Sequence, residues 1–515
     1  MVRQKCSGIR RSYLDSKVDE AMQNNKRVVF MNVSLNIMQQ LINTVYTFII
    51  PPLIIINYGS DINGLISSVK QCLVYLALVE AGVGGAAIVA LFKPLSEGDR
   101  VLQSQIISEA KYFYSKIGVV FIILLLLFSI IYAQIISDQI NIILAISLFV
   151  IMGLINAVDF LLISKYQVFL TADNKLYVTS ATKILTIILD MGCAYILITE
   201  GMNIILVQIC SVFIYMIRYV IYYFYFLKKY SYISFDLKNK TALLHQKSAV
   251  LIHQISGALV FNSPMILITI FLNLKAASIY SIYMLIFMAI KVFLSTITNG
   301  MQSVFGRMIV NENINAVREY FSKFEILYFS CLGWFYSCAL ILSYDFIYLY
   351  TLKFNDPDYV QTILIYLFVI IGIADNIRVP GMTLIAAKGH YEQTKYRSII
   401  EALLNIVFSI VFIKIYGLPG VLLGSIISYS YRTIDIIYYS SNKILKQSII
   451  FKVIMLFFLV FFILANYFIV ESLKMPFFIN DFFKWILYST FVAVLSALLW
   501  LLFYKIMRLM NDKTY

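Results

Sequence analysis

Ionised side chains recur inside stretches of this sequence that are otherwise as apolar as lipid. The bases are Lys70, Lys183, Arg218, Lys291, Arg378 and Arg432; the acids are Glu80, Asp159, Asp190, Asp375, Glu401 and Asp435. An ionised group at the centre of a membrane helix costs about 2.5–3.5 kcal/mol or more, so such residues usually face a bundle interior or a wet cavity. Lys and Arg hold phosphate through charge-assisted bonds stronger than neutral ones. A cationic cavity therefore suits a polar, negatively charged cargo. A buried carboxylate can carry a coupling proton or sodium ion, because burial favours its protonated form, or it can simply bond a neighbouring helix.

Depth and spacing rank the candidates. Lys291, in "FMAIKVFLSTITNG", lies about 14 residues below the outer end of its helix, or about 21 Å at 1.5 Å per residue. That is too deep for the side chain to snorkel out. It is the first substrate-binding candidate, and the shallower Lys70 the second; an internal salt bridge is the competing role for both. Arg218 and Arg432 each have tyrosines nearby and complete the candidate set with Lys183, although Arg432 can pair with Asp435 at i,i+3. Lys183 and Asp190, seven apart, share a helix face and can neutralise each other. Arg378 is expected at the inner interface, and Asp159 and Asp375 in positional roles. Coupling or gating falls to Glu80, Asp190, His253 and Asn262, the last two on a stretch kinked by Pro264. Glu80 precedes Gly82, Gly84 and Gly85, which let another backbone approach closely. Ten residues separate Lys70 from Glu80, a divergence of roughly 80° around one helix, so one broad face could carry both.

Other chemistries find no support. The six cysteines form no CxxC pair and read as small core hydrophobes, so neither a metal site nor a disulfide frame is expected. No G-x-x-x-x-G-K-[ST] phosphate loop occurs. No catalytic residue and no cofactor are expected; proton or sodium coupling stays open.

The elements that must position these residues are membrane helices. Of the residues 61% are hydrophobic and 13% charged, against about a quarter charged in soluble domains. About 20 apolar residues span a bilayer. Candidate spans are 28–56, 64–92, 117–136, 142–163, 176–198, 204–227, 249–272, 277–304, 326–350, 360–386, 398–415, 421–439, 453–469 and 482–506, fourteen in all. Pro51 and Pro52 predict a kink in the first. Of 41 Lys and Arg residues, nine lie within the drawn spans; three of these, Lys414, Lys484 and Lys505, sit at span ends and count with the adjoining side, leaving six in the spans. With a cytoplasmic N-terminus only five more (Lys275, Lys353, Lys414, Lys474 and Lys484) fall on the outer side, leaving thirty inside. This positive-inside bias predicts both termini in the cytoplasm of a multi-pass inner-membrane protein. It also assigns the net charge of +14 to topology and membrane lipids, and not to nucleic acid. The polar, basic start is no cleavable signal. The outer connections, such as "SDIN" and "TEGMN", are too short to build an enzyme's site. Longer inner ones, "KPLSEGDRVLQSQIISEAKYFYSK" and "KKYSYISFDLKNKTALLHQK", read as amphipathic surface helices, like the N-terminal segment.

The chain also matches itself at a shift of about 215 residues. "LTADNKLYVTSATKILTIILDMG" aligns with "IAAKGHYEQTKYRSIIEALLNIV", placing Asp190 on Asn405, Arg218 opposite Arg432, and Asp159 on Asp375. Six helices per half make parallel repeats, with a substrate site expected between the halves near the midplane. The predicted organisation is a cytoplasmic segment 1–27, an N-lobe 28–230, a linker 231–247, a C-lobe 248–446, and a helix pair with tail, 447–515. The fold class is all-α and integral to the membrane.

The segment "INYGSDINGLISSVKQCLVYLALVEAGVGGAAIVALFKPLSEGD" resembles the opening of bacterial polysaccharide transporters, the O-antigen and capsule flippases of the multidrug/oligosaccharidyl-lipid/polysaccharide exporter superfamily. The turn at Gly59 and Gly64, "LVEAGVGGA" and "LFKPLSEGD" carry the likeness. It implies a fold like that of the multidrug and toxin extrusion (MATE) exporters. It also implies transfer of a polyprenyl-pyrophosphate-linked oligosaccharide to the outer leaflet, with a glycan polymerase and chain-length machinery as partners. A drug or metabolite exporter of the same superfamily and a peptidoglycan-precursor flippase are the alternatives.

Overall fold

A computed structural model describes residues 2–80, 82–235, 248–310, 314–473 and 480–512. Among these residues no strand forms. This is what lipid dictates: with no water to bond to, backbone N–H and C=O groups must pair within their own helix.

Helices α1 (Val2–Tyr58), α2 (Ser60–Ala77), α3 (Val83–Glu97), α4 (Arg100–Ile135), α5 (Ile142–Val158), α6 (Ser164–Ala172), α7 (Leu176–Thr199) and α8 (Ile204–Lys229) come first. They are followed by α9 (Ser248–Phe271), α10 (Leu274–Asn299), α11 (Met301–Val310), α12 (Ile314–Thr351), α13 (Thr362–Ile377) and α14 (Val379–Lys388). The last are α15 (Tyr391–Tyr416), α16 (Leu418–Tyr439), α17 (Ile450–Ser472) and α18 (Phe482–Asp512). Thirteen described helical stretches are long and apolar enough to cross a membrane. The fourteenth expected span is α16, a full helix that carries Arg432 and Asp435.

Several boundaries correct the sequence reading. The expected span 64–92 is not one helix: α2 stops at Ala77, a 3-10 turn covers Leu78–Glu80, and Gly82 adopts a left-handed φ of 91° before α3. Lys70 and Glu80 therefore do not share a helix face. The expected surface helix after Lys93 splits at left-handed Gly98, and the remainder is the start of α4, which runs unbroken through its span. The N-terminal segment continues into α1 without a backbone break, Pro51 and Pro52 included. The other expected surface helix falls mostly outside the described residues: α8 ends at Lys229 and residues 230–235 are not helical.

The chain forms two compact units. The first comprises Met1–Leu53, Leu76–Tyr132 and Ile143–Gln246. Its core is aromatic, with Phe121 against Phe160 at 5.3 Å between ring centroids and Tyr166 against Phe226 at 4.7 Å. Between α5 and α6 one π-turn, Asp159–Ile163, interrupts the helix and begins at a charged residue.

The second unit comprises Ile54–Tyr75, Ala133–Ile142 and Lys247–Tyr515. The lobe division drawn from the sequence places α2 in residues 28–230, yet α2 bonds into this unit. Asn63 donates to Ser278 Oγ (2.7 Å), Tyr359 donates to Ser60 Oγ (2.8 Å), and Tyr75 donates to the Leu259 carbonyl (3.3 Å). The pair α17–α18 packs on α12. Trp500 Nε1 donates to Ser337 Oγ at 3.1 Å, and Lys452 faces Glu325 at 3.1 Å with both side chains nearly fully buried. The order broken helix, short turn, long helix, long helix appears in both units, as α5–α8 and as α13–α16.

Candidate functional site

In the second unit a row of alternating charges runs through the interior. Lys291 Nζ, on α10, lies 2.6 Å from Asp375 Oδ2, and the other oxygen of Asp375 accepts from Arg378 Nη2 at 2.5 Å. Arg378 Nη1 bonds Glu401. Glu401 also faces Arg432 Nε at 3.4 Å, Arg432 Nη1 donates to Asp435 at 2.7 Å, and Asp435 accepts from Arg397 at 2.5 Å. Four cations alternate with three carboxylates. Such pairs offset the desolvation of each charge only while every member has its partner. The Arg378 guanidinium also covers the Tyr429 ring at 4.7 Å, and Lys291 the Phe261 ring at 4.7 Å.

The broken helix α13–α14 makes this arrangement. Asp375 lies in the last turn of α13, Arg378 follows at the break, and Pro380 lies in the first turn of α14, where a missing N–H costs nothing. Asn376 donates to Tyr336 Oη at 3.0 Å and to the Gly372 carbonyl at 2.8 Å. A cavity of about 40 Å³ opens beside the start of the row, space for a few waters. Lys291, Asp375, Asn376, Tyr336 and Tyr429 form its polar wall; Phe261, Phe287 and Phe368 form part of the apolar one. Lys291 keeps 37% of its side-chain surface exposed, whereas Asp375 and Arg378 keep 10% each. Lys291 and, at the far end of the row, Arg397 are thus the accessible ends of a buried network.

These positions revise the single-residue expectations. Lys291 is deep but paired. Arg378 is buried, not interfacial, and holds two carboxylates. Arg432 makes the expected bond to Asp435 and a second contact with Glu401. His253 is tied at both ring nitrogens, to Ser398 Oγ at 2.6 Å and to the Tyr391 carbonyl at 3.1 Å. Asn262 is buried and bonds the Ala258 carbonyl at 2.8 Å. Lys70 is exposed on α2. The residues that sequence reasoning missed are Arg397, placed in a connection although it is i,i+4 to Glu401, and the cavity's Tyr336 and Asn376. Among 38 tyrosines no sequence signal singles out Tyr336.

The first unit holds its acids differently. Glu80 accepts from Tyr114 Oη at 2.9 Å, Asp159 from Tyr215 Oη at 3.0 Å, and Asp190 from Tyr46 Oη at 2.8 Å. Lys183 and Asp190 do not neutralise each other as expected: Asp190 turns to α1. Arg218 Nε donates to Thr186 Oγ1 at 2.7 Å and its guanidinium stacks over Tyr215 at 4.2 Å.

Neither a protein-family model nor a curated protein matches the sequence. Solved structures do match the fold. One is an inward-facing multidrug-resistance MATE transporter of the multidrug/oligosaccharidyl-lipid/polysaccharide superfamily, with TM-score 0.63 and 14% identity over 80% of this chain and 97% of that one. The lipid II flippase MurJ in an inward-closed conformation gives 0.61 and 14%, over 91% of this chain and 98% of that one. A MATE structure in complex with the ligand MaL6 gives 0.56 and 15%, over 82% and 97%. The fold is MATE-like.

Proposed function

We propose that this chain is a flippase of the bacterial inner membrane, moving a polyprenyl-pyrophosphate-linked oligosaccharide, an O-antigen or capsule repeat unit, from the cytoplasmic to the outer leaflet. The two units alternate in exposing a cationic path, and the prenyl chain stays in apolar surroundings. The observation that carries this reading is Lys291: a half-buried cation on an aromatic-walled cavity, backed by a network that fixes its position. A second feature supports a lipid-linked cargo over a soluble drug. A groove of about 610 Å³ in the second unit is lined almost wholly by apolar groups, including Ile370, Ile373, Ile434, Val460 and Leu464 from α13, α16 and α17. It suits a hydrocarbon chain. The likeness to the lipid II flippase also extends over more of this chain than the likeness to the drug exporter.

That same likeness favours a peptidoglycan-precursor flippase as the second reading. Purified protein in liposomes, supplied in turn with a lipid-linked oligosaccharide, lipid II and a cationic drug, separates the three. In cells, Lys291→Ala is expected to abolish surface glycan while folded protein persists. Normal glycan in that variant would remove Lys291 from the pathway.

A further inference from the structure

The charge row of the second unit has one cation more than its carboxylates can match. Lys291, Arg378, Arg432 and Arg397 alternate with Asp375, Glu401 and Asp435, and among the described residues no other carboxylate lies within 4.0 Å of any of the four. The three acids can be shared out in two registers. In one, Asp375 takes Lys291, Glu401 takes Arg378, Asp435 takes Arg432, and Arg397 is left over. In the other, Asp375 takes Arg378, Glu401 takes Arg432, Asp435 takes Arg397, and Lys291 is left over. Contacts of both registers are present, because each carboxylate touches the cation on either side of it. A buried ion without a partner is costly, so the surplus charge settles at an end of the row. Those ends are the most exposed of the four cations: Lys291 and Arg397 keep 37% and 33% of their side-chain surface, Arg378 and Arg432 only 10% and 4%.

Arg397 lies six residues into α15, about 9 Å of helix from its start, at the end that the positive-inside bias assigns to the cytoplasm. Its Nη1 donates to Asp435 at 2.5 Å, and its guanidinium lies 4.9 Å over the Tyr439 ring. Nε and Nη2 make no hydrogen bond among the described residues. A planar fork steadied by a ring in this way suits the oxygens of a phosphate.

We propose that Arg397 is a second anion site, for a lipid-borne phosphate at the inner membrane surface, and that the row shifts its one surplus charge between Arg397 and Lys291. No atom travels along the row; each carboxylate moves its weight from one neighbour to the other. A phosphate on Arg397 replaces Asp435 there. Asp435 then turns to Arg432, Glu401 to Arg378 and Asp375 to Lys291, which closes Lys291 to an anion in the cavity. An empty Arg397 draws the register the other way and releases Lys291. Binding at the two ends is therefore antagonistic, equally in both directions. A phosphate passing from the membrane surface to the cavity is held at one end at a time. This inference rests on the anionic cargo proposed above.

The test uses the purified full-length protein in nanodiscs, with geranyl pyrophosphate, a short prenyl pyrophosphate, as probe. In phosphatidylcholine the wild type should bind one equivalent tightly, and Lys291→Gln should lose it. Arg397→Gln, six charges along the row from Lys291, should weaken that equivalent about tenfold, because three cations and three carboxylates leave no surplus. Arg397→Lys keeps the charge and should keep the affinity. Adding Asp435→Asn to Arg397→Gln restores the surplus and should restore the affinity, whereas two merely structural lesions would bind worse than one. Replacing part of the phosphatidylcholine with phosphatidylglycerol should weaken binding more in wild type than in Arg397→Gln, which identifies the ligand of Arg397 as an anionic membrane lipid. A second, weaker probe equivalent that disappears in Arg397→Gln identifies it as the cargo's own pyrophosphate. Absence of both effects overturns the site at Arg397, and a double variant no better than Arg397→Gln overturns the relay. If Lys291→Gln loses binding while every Arg397 variant binds like wild type, the inference fails and the flippase reading stands. If wild type binds the probe in neither lipid, the inference and the anionic-cargo reading fall together.

Discussion

Asp375 Oδ2 lies 2.6 Å from Lys291 Nζ and Asp375 Oδ1 lies 2.5 Å from Arg378 Nη2, so one carboxylate compensates two cations from two helices. Removing its charge leaves Lys291 and Arg378 facing each other with Glu401 as the nearest balance. Asp375→Asn is expected to cost about 3–5 kcal/mol, the range for breaking a buried pair. Asp159→Asn removes no salt bridge and loses about 1 kcal/mol, the worth of one hydrogen bond. Denaturant unfolding of both variants in detergent gives the comparison. Equal losses would mean that the row of charges contributes nothing beyond a single bond.

The contact between Lys452 and Glu325 is the most deeply buried ion pair described, with 3% and 5% of the side chains exposed. It ties α17 to α12, and the Lys452 ammonium also sits 4.7 Å over the Phe321 ring. Either partner alone is costly: Glu325→Leu or Lys452→Met should lose about 3–5 kcal/mol. The double variant should recover most of this, since apolar residues of similar volume replace a buried pair at little or no cost. Limited proteolysis within 446–449, between α16 and α17, reads release of α17. A double variant as labile as the single ones would show that the pair is needed for a reason other than mutual neutralisation.

His390, in the short turn between α14 and α15, stacks edge-on to Tyr439 and meets its hydroxyl at 3.0 Å. Burial first, and the nearby Lys388 second, hold its pKa below the usual histidine value. The folded state therefore binds this proton less readily than the unfolded chain. Stability from this residue is complete above about pH 6.5, the unfolded value, and is lost as pH falls through the folded one. Melting temperature should decline on acidification in the wild type and decline less in His390→Gln. An identical decline in both would assign the acid sensitivity to other groups.

How much of this was legible depends on the period of the signal. Spans follow from apolar runs, and those were plain; a break inside a run was not, because 64–92 stays apolar across the turn at Glu80 and Gly82. The repeat was visible because Asp159, Asp190 and Arg218 recur near a fixed offset. Their partners were not, since Asp190 reaches Tyr46 on a helix 144 residues away and nothing in either local sequence specifies it. Arg432 with Asp435 could be read because i,i+3 neighbours meet on any helix. Lys291 with Asp375 could not, because only packing of α10 on α13 brings them together. Depth singled out Lys291 without revealing the carboxylate that pairs with it.

Gly59 and Gly64 were noted only as a turn-like pair, yet the two do different work, and substitutions can separate them. Gly59 has φ of 88° between α1 and α2 with nothing near a would-be Cβ, so its requirement is conformational. Gly64 has ordinary helical geometry, but a Cβ there would lie 1.9 Å from the Leu274 carbonyl oxygen, a backbone atom that cannot swing aside. Gly59→Asn should be tolerated better than Gly59→Ala, because asparagine accepts the left-handed region. No side chain should rescue position 64: Gly64→Ala must push α2 from the start of α10, at about 1–3 kcal/mol, and strain the Asn63 bond to Ser278 beside it. Thermal unfolding of the three variants in detergent measures both effects. A Gly64→Ala protein as stable as wild type would mean that α2 and α10 do not pack this closely.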